Sequence, residues 1–268
     1  FNSFWVNDGG MRLLYLKRLL LAVTCFVMVT MTFVAPIPQD PAYHHFADQR
    51  QMAFVPNFWN VVSNLGFLYV GVLGLYRLYA VQRLVIVVPA RLLYGAFFLG
   101  VTWVAFGSGF YHLHPDNSTL IWDRLPMTIA FMALTSMVLA EFLSLNWGRR
   151  AFWPLLCVGV LSVLYWYWGE GSGQGDLRAY VLVQFLPVLL MLLLLALGRN
   201  VFDTSAGYGL VLVSYLLAKM MEHFDGGVYE LTHQFMAGHA LKHILAALGL
   251  YGLLRSFQSR IMRYHVNK

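Results

Sequence analysis

Eight stretches of this chain each run about twenty residues with almost no charge: 17–35, 57–80, 92–113, 123–144, 151–168, 178–198, 207–224 and 237–257. A helix needs about 20 residues to cross the hydrocarbon core of a bilayer, so each run has spanning length. Composition agrees. Charged residues are 11% and hydrophobic residues 59% of the 268, where a soluble domain carries roughly 25% charge. Too few charges remain to coat a water-facing surface, and the expected class is an all-α, polytopic transmembrane helix bundle. Breakers separate the runs: Pro36, Pro38 and Pro41, then Pro56, Pro89, Pro115, the glycine-rich 169–176 and Gly226–Gly227. Residues 1–16 read as a leader or cytoplasmic N-terminus and 17–35 as an extra N-terminal transmembrane helix. Residues 43–257 read as a seven-helix core and 258–268 as a basic cytoplasmic tail.

The net charge of +6 does not imply a nucleic-acid partner, because the basic residues are dispersed over short loops. With the N-terminus inside, thirteen fall on inner segments, from Arg12, Lys17 and Arg18 to Arg260, Arg263 and Lys268. Only Arg50, Arg124 and Arg178 fall on outer ones. That asymmetry predicts both termini in the cytoplasm. The histidines sort the other way. Eight of the nine (His44, His45, His112, His114, His223, His233, His239 and His243) lie at or near outer ends. The two cysteines, Cys25 and Cys157, sit inside apolar runs, which argues against a disulfide framework and a thiolate metal site.

Three local patterns carry chemistry. In Gly238-His239-Ala240-Leu241-Lys242-His243 the two histidines are four apart and project from one helix face, a spacing that can bind one metal ion. The bland alternative is a hydrogen-bonded pair in a polar bundle interior, but ionisable groups at membrane depth are costly and functional by default. In Gly107-Ser108-Gly109-Phe110-Tyr111-His112, Ser108 and His112 share a face, and His112 offers a third ligand. Three neutral imidazoles leaving one position for water make an open catalytic zinc site. Ser108 is otherwise a small residue that permits close helix packing; a GxSG nucleophile turn does not fit FGSGF. Asp123, in Trp122-Asp123-Arg124-Leu125-Pro126, reads either as an N-cap or as a general base beside the histidines. Tyr180 is a candidate oxyanion donor or an aromatic-belt residue. Glu222 and Asp225 read as orienting partners for a ligand imidazole or as partners of Lys219. His44, His45 and His233 read as loop histidines.

Together these pieces resemble the alkaline ceramidase family, within a superfamily of seven-helix membrane hydrolases that also includes adiponectin-receptor-like proteins. The resemblance rests on Asn57-Phe58-Trp59-Asn60-Val61-Val62-Ser63-Asn64, on Ser108 and His112, on Asp123 eleven residues later, and on His239 and His243. It implies one Zn²⁺ per chain on His112, His239 and His243, Asp123 as base, Ser108 holding the reacting carbonyl, and Tyr180 aiding the oxyanion. It also implies a membrane lipid substrate, ceramide-like, cleaved at its amide. Such a lipid would enter sideways from the bilayer, its acyl chain in a slot lined by Trp103, Phe110 and Phe185. The family's calcium site is not expected, since calcium takes six to eight oxygens and the stretch before Phe58 offers only Asp48 and Asn57. The competing class is a receptor-like binding protein whose zinc is structural, with four closed ligands. A bis-histidine haem is a third, disfavoured because His239 and His243 share one helix face.

Overall fold

The computed structural model describes residues 3–263; residues 1–2 of the expected leader and 264–268 of the expected basic tail lie outside the described residues. Its helices are α1 (Ser3–Thr32), α2 (Phe58–Val62), α3 (Leu65–Leu75), α4 (Arg91–Leu113), α5 (Asn117–Phe142), α6 (Leu145–Gly171), α7 (Arg178–Leu197), α8 (Ala206–His223), α9 (Asp225–Leu231) and α10 (Gly238–Ser259). Among the described residues, extended structure is limited to two isolated bridges. The chain is an all-α bundle, as the apolar runs predict.

Six segments are long and apolar enough to cross a membrane: Gly10–Thr32, Phe58–Ala80, and the spans containing α4, α5, α6 and α7. These mark a multi-pass membrane protein. The sequence reading expects eight. The remaining two, α8 and α10, have 18 and 22 residues but fall short of that apolarity. The physical reason is the polar load they carry: Lys219, Glu222 and His223 on α8, and His239, Lys242, His243 and Arg255 on α10.

Two boundaries differ instructively from the sequence reading. The fifth helix begins at Asn117, not at 123. Asp116 caps it: its carboxylate accepts from the Thr119 amide at 2.7 Å, and the Thr119 hydroxyl accepts from the Asp116 amide at 3.2 Å. This capping box moves Asp123 into the second turn, so it is not an N-cap. The run at 57–80 is broken at Ser63–Asn64 between α2 and α3. There the Asn64 side chain donates to the carbonyls of Asn60 and Val61 at 2.7 and 3.4 Å, an asparagine side chain competing for helix carbonyls.

The bundle is built around α5, which packs on α4, α6 and α7, while α8 packs on α10 and α3 on both α4 and α10. Within the spanning windows, 61% of α5 is buried but only 11% of the α1 segment. The main neighbour of α1 is α7, so it is a peripheral addition. Its Phe26, and Phe33 just after it, are exposed, which suits a lipid-facing surface and not a water-facing one. Cys25 and Cys157 are free and outward-facing. Polar side chains gather at the two ends of the bundle. At one end lie the histidines; at the other, Glu141 and Arg260 are buried together.

Candidate metal centre

Three helix ends meet at the histidine end: the last turn of α4, the second turn of α5 and the first turns of α10. Close approach of α4 and α5 follows from two residues. Pro126 has no N–H, so the Trp122 carbonyl one turn earlier loses its partner within α5. Gly107 packs against that carbonyl, and a Cβ there would collide with the Trp122 oxygen. Gly238 plays the same part before His239, its backbone resting against Met221 and Asp225. Overpacking costs about 1–3 kcal/mol, so Gly107→Ala should lower the unfolding midpoint and the metal retained after purification. Gly109→Ala is the matched control. It lies in the same helix, has open space around its Cβ position, and should be neutral or stabilising in both measurements.

His112, His239 and His243 are all buried, and one ring nitrogen from each lies within 4.8 Å of the other two. The ring centroids form a near-equilateral triangle with sides of 5.0, 5.1 and 5.2 Å. Phe46 covers it, 4.4 Å from the His239 ring and 4.9 Å from His112. The donor atoms fit a metal. Nδ1 of His112 and Nε2 of His239 are buried without a hydrogen-bond partner, a costly state for a polar atom that a metal ion would relieve. His243 has its Nδ1 2.8 Å from the Ser63 hydroxyl, which itself lies 3.3 Å from the Asn60 carbonyl. That chain suits the tautomer with the proton on Nδ1 and leaves Nε2 for a metal.

The α2 segment and the connection before it form the cradle for these imidazoles. Asn57 donates to the His112 carbonyl at 2.9 Å, and Asn60 donates to the Asp48 carbonyl at 3.2 Å. Asp225 accepts from the amides of Ala47 and His239 at 2.9 and 2.6 Å, tying the Phe46 loop to the start of α10. It therefore holds ligand backbone and not, as the sequence reading allows, an imidazole. Glu222 pairs with Lys219 and, at 2.6 Å, with Lys242. Asp48 and Asn57 are engaged in bracing the loop. Burial works to raise the Asp48 carboxyl, but hydrogen bonds from Arg50 outweigh it and hold Asp48 below its ordinary range. His44 bonds Tyr111 and Asn117, each at 2.9 Å, as a loop anchor outside the cluster.

Ser63 is the partner that sequence reasoning missed as an individual residue. Groups orienting a ligand imidazole typically change metal affinity 10–100-fold when removed. Ser63→Ala should therefore weaken metal binding at the three histidines by about that factor in a chelator competition, with the fold intact.

The cluster opens through His243 onto a cavity of about 440 Å³ that Ser108, Asp123 and Tyr180 also line. Ser108 and the Asp123 carboxyl are both buried and line the cavity together. Tyr180 is buried, not part of an exposed aromatic belt, and its ring lies 4.7 Å from the Arg124 guanidinium. The far end of the cavity is apolar, lined by Phe97, Val101, Leu134 and Leu250. None of the three residues expected to line an apolar slot lines this cavity. Trp103, Phe110 and Phe185 are 44–48% exposed and point outward. The inward face of α4 is instead set by Val101, Val104 and Ser108, at the i, i+3, i+7 spacing of one stripe. No family model, no curated protein and no solved structure matches the chain.

Proposed function

We propose that the protein is a zinc-dependent membrane amidase that cleaves the amide bond of a ceramide-like lipid, giving a free fatty acid and a long-chain amine. One observation carries the reading: a cluster of three buried imidazoles, two with unspent nitrogens, opens through His243 onto a cavity that holds a buried carboxylate, a hydroxyl and an apolar end. The sequence motifs that resemble alkaline ceramidases fall on the same residues. His112, His239 and His243 would hold the zinc. When bound there, zinc acidifies a water and polarises a carbonyl.

The chain's own residues do the rest. Asp123 accepts a proton from the attacking water, whose oxygen bonds to the amide carbon. Ser108 and Tyr180, both on the cavity wall, donate hydrogen bonds to the amide oxygen as it gains negative charge. Asp123 then returns the proton to the nitrogen as the C–N bond breaks, so water and amide become acid and amine. The apolar end of the cavity takes the acyl chain. The charge asymmetry of the loops supports both termini in the cytoplasm and the site at the outer face.

Zinc analysis of the purified protein tests this first. About one zinc per chain is expected, lost in His239→Ala, with ceramide hydrolysis removed by a chelator and restored by zinc. Stoichiometric zinc without hydrolysis of any lipid amide, together with a fourth protein ligand by X-ray absorption, would instead favour the receptor-like protein with structural zinc.

A further inference from the structure

Arg124 follows the proposed base in sequence, is 5% exposed, and lines the same cavity. A buried guanidinium is ordinarily compensated by a carboxylate. Among the described residues none pairs with it. Its Nη2 donates to the Gln39 side-chain oxygen at 2.6 Å, and its Nη1 is buried with no partner. Its planar group lies over Trp166 at 4.2 Å and Tyr180 at 4.7 Å, with Tyr43 at 5.8 Å. Aromatic faces steady a cation, but they satisfy no N–H and leave its charge in place.

The other charges on the cavity wall do not answer it. Lys219 and Lys242 share one carboxylate, Glu222, and Asp40 is exposed and caps the turn at Pro41–His44. Three cations thus face three acids on the wall, so the missing partner of Arg124, and not a net excess of charge, is what asks for an anion. A divalent metal on the histidines would tip that balance to positive. Position fixes which end of a lipid meets Arg124. Gln39 and Tyr43 belong to the connection after α1, on either side of the exposed Asp40 in sequence, whereas Leu134 lies about 15 Å further along α5 from Arg124 at 1.5 Å per residue.

We propose that Arg124, steadied by Gln39 and the three aromatic rings, is an anion-binding subsite, and that the lipid amide cleaved here carries a carboxylate, sulfonate or phosphate on its amine half. The inference rests on the amidase reading for the words "amine half" and on the geometry alone for the anion. It narrows the substrate from a neutral ceramide to an acidic lipid amide. Arg124 would act as a substrate-binding residue, with its fork of donors on the anion.

Equilibrium binding of non-hydrolysable ethers tests it on the full-length protein in neutral detergent. The probes are hexadecyloxyacetate and its uncharged counterpart 2-(hexadecyloxy)ethanol. Wild type should bind the acid at least tenfold more tightly than the alcohol. Arg124→Gln should bring the two within about twofold through loss of the acid's affinity. Arg124→Lys, which keeps the charge and loses the fork, should show an intermediate preference and serves if the glutamine variant does not fold. Equal binding of the two ethers by wild type, or a preference that survives in both variants, overturns the subsite. Palmitate against hexadecanol separates the two sources of a carboxylate. An Arg124-dependent preference larger in that pair than in the ether pair would assign the subsite to the fatty-acid product and overturn the amine-half assignment. None of these probes is cleaved. If the zinc-loaded protein hydrolyses no lipid amide while the Arg124-dependent preference stands, the amidase reading falls and the anion subsite remains.

Discussion

Asp123→Asn will keep about one zinc per chain and lose at least a hundredfold in the rate of lipid amide hydrolysis. The substitution keeps shape and removes the ability to take a proton. Asp123 is 8% exposed and lines the cavity with Ser108 and His243, but it does not belong to the three-histidine cluster found among the described residues. Metal should therefore be indifferent to the change. A positioned general base contributes about 10²–10⁴-fold, which is roughly 3–5 kcal/mol of barrier. Zinc content by elemental analysis and turnover of a labelled ceramide-like amide are read on the same preparation. Loss of zinc together with activity would make Asp123 a fourth ligand, the closed geometry of a structural site. Retained zinc with turnover within tenfold of wild type would remove Asp123 from the base role.

The imidazole triad was legible because polar residues stand out in an apolar chain. His239 and His243 declare a shared helix face by spacing alone, and His112 follows at the end of another run on the same side. The approach that joins them was not legible. It depends on Gly107 meeting a carbonyl that Pro126 leaves free, a relation between two helices that neither sequence segment carries alone. Ser63 was hidden for a similar reason: its partner His243 is 180 residues away. The outer faces of α4 and α7 misled. In a membrane bundle both faces of a helix are apolar, so hydrophobicity does not say whether Trp103 or Val101 looks inward. The start of α5 was misplaced because Pro126 suggests a first turn, while the weaker-looking Asp116–Thr119 box sets the cap. In the sequence Arg124 reads as an outer loop charge, and only its burial beside the cavity gives it a further meaning.

The largest loss of stability should come from the opposite end of the bundle. Glu141 is 0% exposed, and its carboxylate takes both arms of the Arg260 guanidinium at 2.8 and 3.0 Å. Tyr94 adds a hydrogen bond at 2.6 Å and Asn200 one at 3.3 Å. Arg260 also donates from Nε to the Val85 carbonyl at 2.8 Å and stacks on Phe202 at 3.6 Å. One carboxylate thereby joins the start of α4, the end of α5, the segment before α8 and the end of α10. Removing one partner strands the other charge in a buried site, which costs about 3–5 kcal/mol. Glu141→Leu and Arg260→Met should each lower the unfolding free energy by about that much in a denaturant titration in detergent. Glu141→Leu combined with Arg260→Met removes both charges, and should be markedly more stable than the sum of the single losses because neither is left unpaired. Zinc stoichiometry in the variants that remain folded should be unchanged, since the histidine cluster lies about 27 Å away along α5, at 1.5 Å per residue from Asp123 to Glu141. Additive losses in the double variant would show that the clasp is not a coupled pair. Loss of zinc with the fold retained would show that the two polar ends of the bundle are not independent.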